Sequence, residues 1–157
     1  MFKNLSLVML LIVIPFGALG FEDPFLKSIE ISSHGAKFQS ERVKIAAENL
    51  ANEDSVSSIP GGDPYRRKVV YAKNQYDRKL DTRVLKVKKY GHDKSDFKIK
   101  YDPYHPAADA NGYVKLPNVD KIIEKADADE AQRSFEADIG MIEISKQMIN
   151  KTMEVMR

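Results

Sequence analysis

Proline placement constrains this chain more than any other feature. Residues 25–59 hold none and residues 118–157 hold none, while Pro60, Pro64, Pro103, Pro106 and Pro117 all fall between them. Proline lacks the amide donor and its ring collides with the preceding turn, so the two terminal stretches are free to run as long helices. The centre, with its prolines and glycines and its short runs rich in Val, Ile, Tyr and Phe, reads as turns and short strands. This predicts an α+β chain with long N- and C-terminal helices, paired as a coiled-coil-like layer, around a small β-rich region. The boundaries expected are 21–56 for the first helical segment, 57–117 for the centre and 118–157 for the last.

Each terminal stretch carries two apolar seams. In the first, Ile29, Ala36, Val43 and Leu50 recur every seven residues, and so do Ile31, Phe38 and Ile45. An offset of two residues is about 200° around a helix, so the stripes lie on nearly opposite faces. Gly35 and the β-branched residues weaken the helix locally. In the last stretch Phe135, Ile139, Ile142, Ile149, Met153 and Met156 form one seam, and Ala137, Met141, Ile144, Met148 and Val155 a second. Lys146 interrupts the first and Lys151 the second. Asn118 follows Pro117 and is placed to cap this helix. A helix with two apolar seams cannot bury both by packing once within a small chain. The expectation is burial between subunits.

The centre reads as four short strands: 68–72, 83–89, 97–101 and 113–116. Phe97, Ile99 and Tyr101 alternate with lysines, the pattern of a half-wet sheet. Asn111-Gly112 marks a tight turn, and Gly61-Gly62 and Gly91 mark further reversals.

Composition excludes most chemistry. Of 157 residues none is Cys or Trp and three are His. There is no thiolate ligand or nucleophile, no disulfide framework and no repeated His spacing to hold a metal. His105 lies between Pro103 and Pro106, which suits a rigid loop better than a ligand site. Asp109 to Gly112 resembles part of a calcium loop but lacks the closing glutamate. His34 and His92 are isolated, and no phosphate loop or nucleophile elbow is present. No catalytic residue, metal, cofactor or small-molecule substrate is expected, and lone helical acids are read as solvent-facing.

Charge is balanced overall at +2 but not locally. Residues 66–89 carry ten Lys or Arg and two Asp, interleaved with Tyr71 and Tyr76, while residues 118–143 hold eight acids and three bases. A basic, aromatic stretch could bind single-stranded nucleic acid. Electrostatic docking on an acidic helix of a neighbouring subunit is favoured instead, and no nucleic-acid partner is expected. Ahead of all this, Lys3, the apolar run from Leu5 to Ile14, Pro15, Gly17 and Ala18-Leu19-Gly20 read as a secretory signal peptide over 1–20, cut after Gly20. A retained membrane anchor is the weaker reading.

Three motifs in order carry a family resemblance. Ala46 to Asn52, containing Asn49-Leu50-Ala51-Asn52, resembles the segment that closes the N-terminal helix of flagellar rod and hook axial proteins. Gly61, Gly62, Pro64, Tyr65, Arg66, Arg67 and Lys68 stand as in the proximal-rod members of that family. So do Tyr101, Asp102, Pro103, Tyr104, His105, Pro106, Gly112 and Tyr113, followed by Pro117 and Asn118. The resemblance covers roughly Phe25 to Met156. It implies a non-enzymatic structural subunit of the flagellar basal body, located in the periplasmic space. Its terminal helices would pack with other copies and with other rod and rod-junction proteins. A periplasmic adaptor keeping the same fold is the alternative. Phe135, Glu136 and Asp138 depart from the Tyr, Gln and Asn more usual there, and such proteins normally carry no cleaved leader.

Overall fold

The computed structural model describes residues 23–157. The segment read as a signal peptide lies outside them. Helix α1 spans Pro24–Ala51 and α2 spans Lys121–Val155. Between them lie β1 (Lys68–Asp77), β2 (Thr82–His92), β3 (Lys98–Tyr101) and β4 (Tyr113–Leu116), in two separate two-stranded antiparallel sheets. The chain is α+β. No helix among the described residues is long and apolar enough to cross a membrane.

Both helices begin at side-chain caps. Asp23 accepts from the Phe25 amide at 2.8 Å and Pro24 opens the first turn, where its missing donor costs nothing. Asp120 accepts from the amides of Ile122 and Ile123 at 2.9 and 3.3 Å. The expected cap, Asn118, is two residues too early, and its side chain is used elsewhere. Asn52 closes α1, its amide reaching the carbonyls of Asn49 and Leu50 and its side chain the carbonyl of Glu48 at 2.8 Å.

The helices lie antiparallel. Ser28 meets Ser145 at 3.2 Å, a Cβ on Gly35 would stand 2.5 Å from the Asp138 carboxylate, Arg42 reaches Glu130 at 3.4 Å, and Asn49 meets Glu124 at 2.9 Å. These α1 positions are seven apart, so one stripe of α1 faces α2 along its whole length. The stripe is small and polar. The apolar seams read from the sequence flank it.

The long hairpin β1–β2 lies along a second face of α1. Its base is tied at Lys68 to Glu48, its middle at Tyr90 to Glu41 (3.1 Å), and its tip at the Asp81 carbonyl to Lys27 (3.2 Å). Each of these α1 residues precedes one facing α2, which puts the hairpin about 100° further round the helix. The hairpin covers Phe38 and Ile45, and Val84 is fully buried. Burying such side chains contributes roughly 1.5–3 kcal/mol each. Phe38 and Ile45, expected at an interface between subunits, are therefore buried inside this one; Ala36 and Asn49, expected there too, are also buried, Asn49 against α2. The chain's own hairpin supplies a cover that periodicity alone did not show. Ile31 remains exposed, and Ile29, Val43 and Leu50 are half-buried.

Strands β1 and β2 run well past the short segments expected, to a tip where Asp81 takes a positive φ of 44°. Gly91 is not a reversal. It sits within β2 opposite Val69, and the Tyr71 ring lies where a Cβ would be, at 2.9 Å.

Candidate functional site: a polar clasp and an uncovered helix face

The family-type motifs converge on one buried cluster at the end of α1. Asn49 is its hub. The Asn49 Nδ2 donates to the Lys68 carbonyl and to Glu124 Oε2, both at 2.9 Å. Its Oδ1 accepts from the Tyr65 hydroxyl and from the Lys68 amide, both at 2.8 Å. A side-chain amide has two donors and two acceptor sites, and all four are used. Asn49 thus ties the end of α1 to the start of β1 and to the first turn of α2.

Arg67 makes the second set of links. Its Nε donates to Glu124 Oε1 at 2.5 Å and its Nη2 to Asp127 at 3.2 Å, with Asp93 at 3.7 Å. Burial pushes the guanidinium pKa down, but the Glu124 hydrogen bond and the charges of Glu124, Asp127 and Asp93 outweigh it and hold the group above its ordinary value. The Arg67 amide donates to Asn118 Oδ1 at 2.8 Å, and the Asn118 Nδ2 reaches Ser95 Oγ at 2.9 Å. Arg66 donates to the carbonyls of Asp93 and Ser95, and its guanidinium lies 4.0 Å from the Phe97 ring centre, a cation–π contact. Burial, then the charges of Glu48 and Glu124, push the Tyr65 hydroxyl up to about 12. No fully enclosed side-chain N or O atom lacks a partner among the described residues. Every charged side chain of the cluster takes part in a hydrogen bond or ion pair within it.

The remaining motif residues build the second hairpin. Tyr101 and Tyr113 pair edge to face with centroids 5.2 Å apart, Gly112 turns with a φ of +81°, and Asp109 caps the turn through the amides of Asn111 and Tyr113. The Asp102 amide donates to the Gly112 carbonyl at 2.9 Å. His105 Nδ1 accepts from the Ala107 amide at 3.1 Å within its loop between Pro103 and Pro106. Gly61, with a φ of +69°, donates to the Ala107 carbonyl and fastens the loop after α1 to this hairpin, while Gly62 donates to the Ile59 carbonyl. Pro64 and Pro117 are buried beneath it. Among the described residues no group of three His, Asp or Glu could hold a metal.

Glu124 was missed. A lone helical acid reads as solvated, yet this one is 1% exposed. The available signal was its spacing: Glu124, Ala131, Asp138 and Ser145 recur every seven residues, a small and polar seam between the two apolar ones. Asp138 sits on that seam, half-buried, and burial raises its carboxyl pKa.

The other candidate surface is the far side of α2. Phe135, Ile139, Ile142 and Ile149 are half-buried toward α1. Met141, Ile144 and Met148 are 47, 52 and 46% exposed, and Met153, Val155 and Met156 more so. Ile122 and Ile123 extend the exposed apolar surface to the helix start.

No protein-family model matches the chain. Curated relatives do. The chain is 42% identical to the flagellar basal-body rod protein FlgC of Agrobacterium fabrum over 135 residues, spanning 86% of this chain and 97% of that one. It is 39% identical to FlgC of Salmonella typhimurium over 82% of this chain and 95% of the relative. With FlgC of Borreliella burgdorferi it shares 35% identity, over 83% of this chain and 96% of the relative.

Proposed function

The chain belongs to the FlgC family of flagellar basal-body rod proteins, and from that premise we propose that it is a self-assembling subunit of the proximal rod. It is a structural protein, not an enzyme. The observation that carries the assembly role is the uncovered side of α2. Methionines and isoleucines exposed along a helix are unstable surface for a monomer and ordinary surface for an interface. Residues 21–56 and 118–157 form the rod-core part in this reading, and 57–117 the outer part. Neighbouring copies and other rod and rod-junction proteins cover the free face, giving the helices coiled-coil-like partners. The shaft then transmits torque through many small packing contacts in parallel. The subunit works in the periplasmic space, delivered there by the signal-like segment 1–20.

Mass spectrometry of purified basal bodies tests this directly. The expected result is the chain among the rod proteins, beginning near Phe21. A second arm replaces Ile144 and Met148 with Asp. The variant should keep its circular dichroism spectrum, disappear from basal bodies and abolish motility. Absence of the wild-type chain from basal bodies with an otherwise complete rod overturns the reading in favour of a periplasmic adaptor.

A further inference from the structure

Six basic side chains of the β1–β2 hairpin, Lys73, Arg78, Lys79, Arg83, Lys88 and Lys89, are exposed and have no ion-pair partner among the described residues. The hairpin's other lysines are matched, Lys68 by Glu48 and Lys86 by Asp77 at 3.5 Å. A complementary row stands on α2. Asp129, Glu136 and Glu143 recur every seven residues, are exposed, and likewise have no ion-pair partner among the described residues. Seven residues return within about 20° of the same helix face, so the three carboxylates line up. The row adjoins the exposed Ala137, Met141, Ile144 and Met148 stripe.

The two sets cannot meet within one subunit. The hairpin packs against α1, no Cα of it comes within 8 Å of one of α2, and none of its basic side chains forms an ion pair with α2 among the described residues. Their dimensions agree. From Arg83 to Lys89 is about 20 Å of extended strand, and from Asp129 to Glu143 is about 21 Å of helix. Exposed Tyr76, paired with Arg83 across the hairpin, would meet the methionine stripe, a favourable sulfur–aromatic pairing.

We propose that the basic β1–β2 hairpin of one copy docks along the Asp129–Glu136–Glu143 row on α2 of a second copy. This rests on the reading of the outer side of α2 as an assembly face and names what covers its acidic border. The two surfaces differ, so the contact is heterologous. Each subunit offers one hairpin and one helix, and the contact propagates from copy to copy as a ring or helical array. Complementary charge supplies register and association rate, while the neighbouring apolar stripe supplies adhesion.

The test is self-association of the full chain by sedimentation velocity, at low and high salt. Reversing the hairpin (Lys73→Glu, Arg83→Glu, Lys89→Glu) should weaken association at least tenfold, as should reversing the row (Asp129→Lys, Glu136→Lys, Glu143→Lys). Mixing the two reversed chains should restore it, because the acidic hairpin of one meets the basic row of the other and the unreversed hairpin meets the unreversed row. Both reversals in one chain should restore it as well. The chain has no cysteine, so Arg83→Cys with Glu136→Cys gives a clean crosslink, expected between copies under oxidation. Unchanged association and salt dependence in both reversed variants overturns the proposal. If Ile144→Asp and Met148→Asp still abolish association in that case, the assembly face stands and only this docking mode falls. If they too have no effect, both fall.

Discussion

The two sides of α2 are built on opposite principles. The side facing α1 is small and polar: Ser145, Asp138, Ala131 and Glu124 oppose Ser28, Gly35, Arg42 and Asn49, with Ser145 and Glu124 hydrogen-bonded across to α1. The far side carries Met141, Ile144 and Met148, and these are exposed. A self-sufficient bundle would arrange these in reverse. Polar seams specify register because each group has a required partner, whereas large apolar seams tolerate shifts. The inner seam therefore sets how this chain folds on itself, and the adhesive surface is kept for contacts between molecules.

Breaking the inner seam should have the largest effect on stability. Glu124→Ala takes from Arg67 its shortest ion pair, leaving it Asp127 and Asp93, and leaves one buried Asn49 donor unpaired. Losing such charge-assisted bonds costs about 2–3 kcal/mol, a fall in melting temperature on the order of 10 °C by circular dichroism. Asn49→Ala orphans four bonds and should be comparable. A melting temperature within the error of wild type would show that the clasp is not what joins the helices.

A smaller, pH-dependent effect is expected from Tyr65. Its hydroxyl is held up to about 12 in the folded chain against an ordinary value of 10. Above pH 10 the unfolded chain releases this proton while the folded chain keeps it, so the contribution is whole below pH 10 and is lost as pH rises toward 12. Urea midpoints measured across that window should fall more steeply for wild type than for Tyr65→Phe. Smaller again is Asp138→Asn. Burial raises the Asp138 carboxyl above 3.8, so its ionisation costs stability as pH rises from there through the folded-state value. The variant should show a slightly higher urea midpoint than wild type at pH 7, and the gain should vanish in acid, where both side chains are neutral.

The smallest effect sharpens the comparison from the other side. Ile144→Asp should change monomer stability by no more than about 0.5 kcal/mol, the usual scale for an exposed position. A large loss would mean that the outer face is held within the subunit after all.

The clasp was half visible beforehand. Motif marks Asn49, Tyr65, Arg67 and Asn118, but the position of Asn118 just after Pro117 points to a helix cap. Its actual bonds, to Arg67 and Ser95, join segments far apart in sequence. Asp93 and Asp127 carry no local mark, and Glu124 carries only its place in a seven-residue repeat. A carboxylate's burial depends on whether a cation from another segment arrives beside it, and Arg67 does so across 57 residues.

Sequence alone determined the helix–centre–helix order, the strand-bearing middle, the absence of cysteine chemistry and the two-seamed helices, because proline placement and apolar period act through neighbours a few residues apart. Tertiary structure decided which seam turns inward. It placed the hairpin over Phe38 and Ile45, set the polar stripe between the helices, and left Met141, Ile144 and Met148 uncovered. Two stripes of equal periodicity are equivalent to the local chain. Only the partners brought by distant segments, Arg67 to Glu124 and Lys68 to Asn49, make one side the inside.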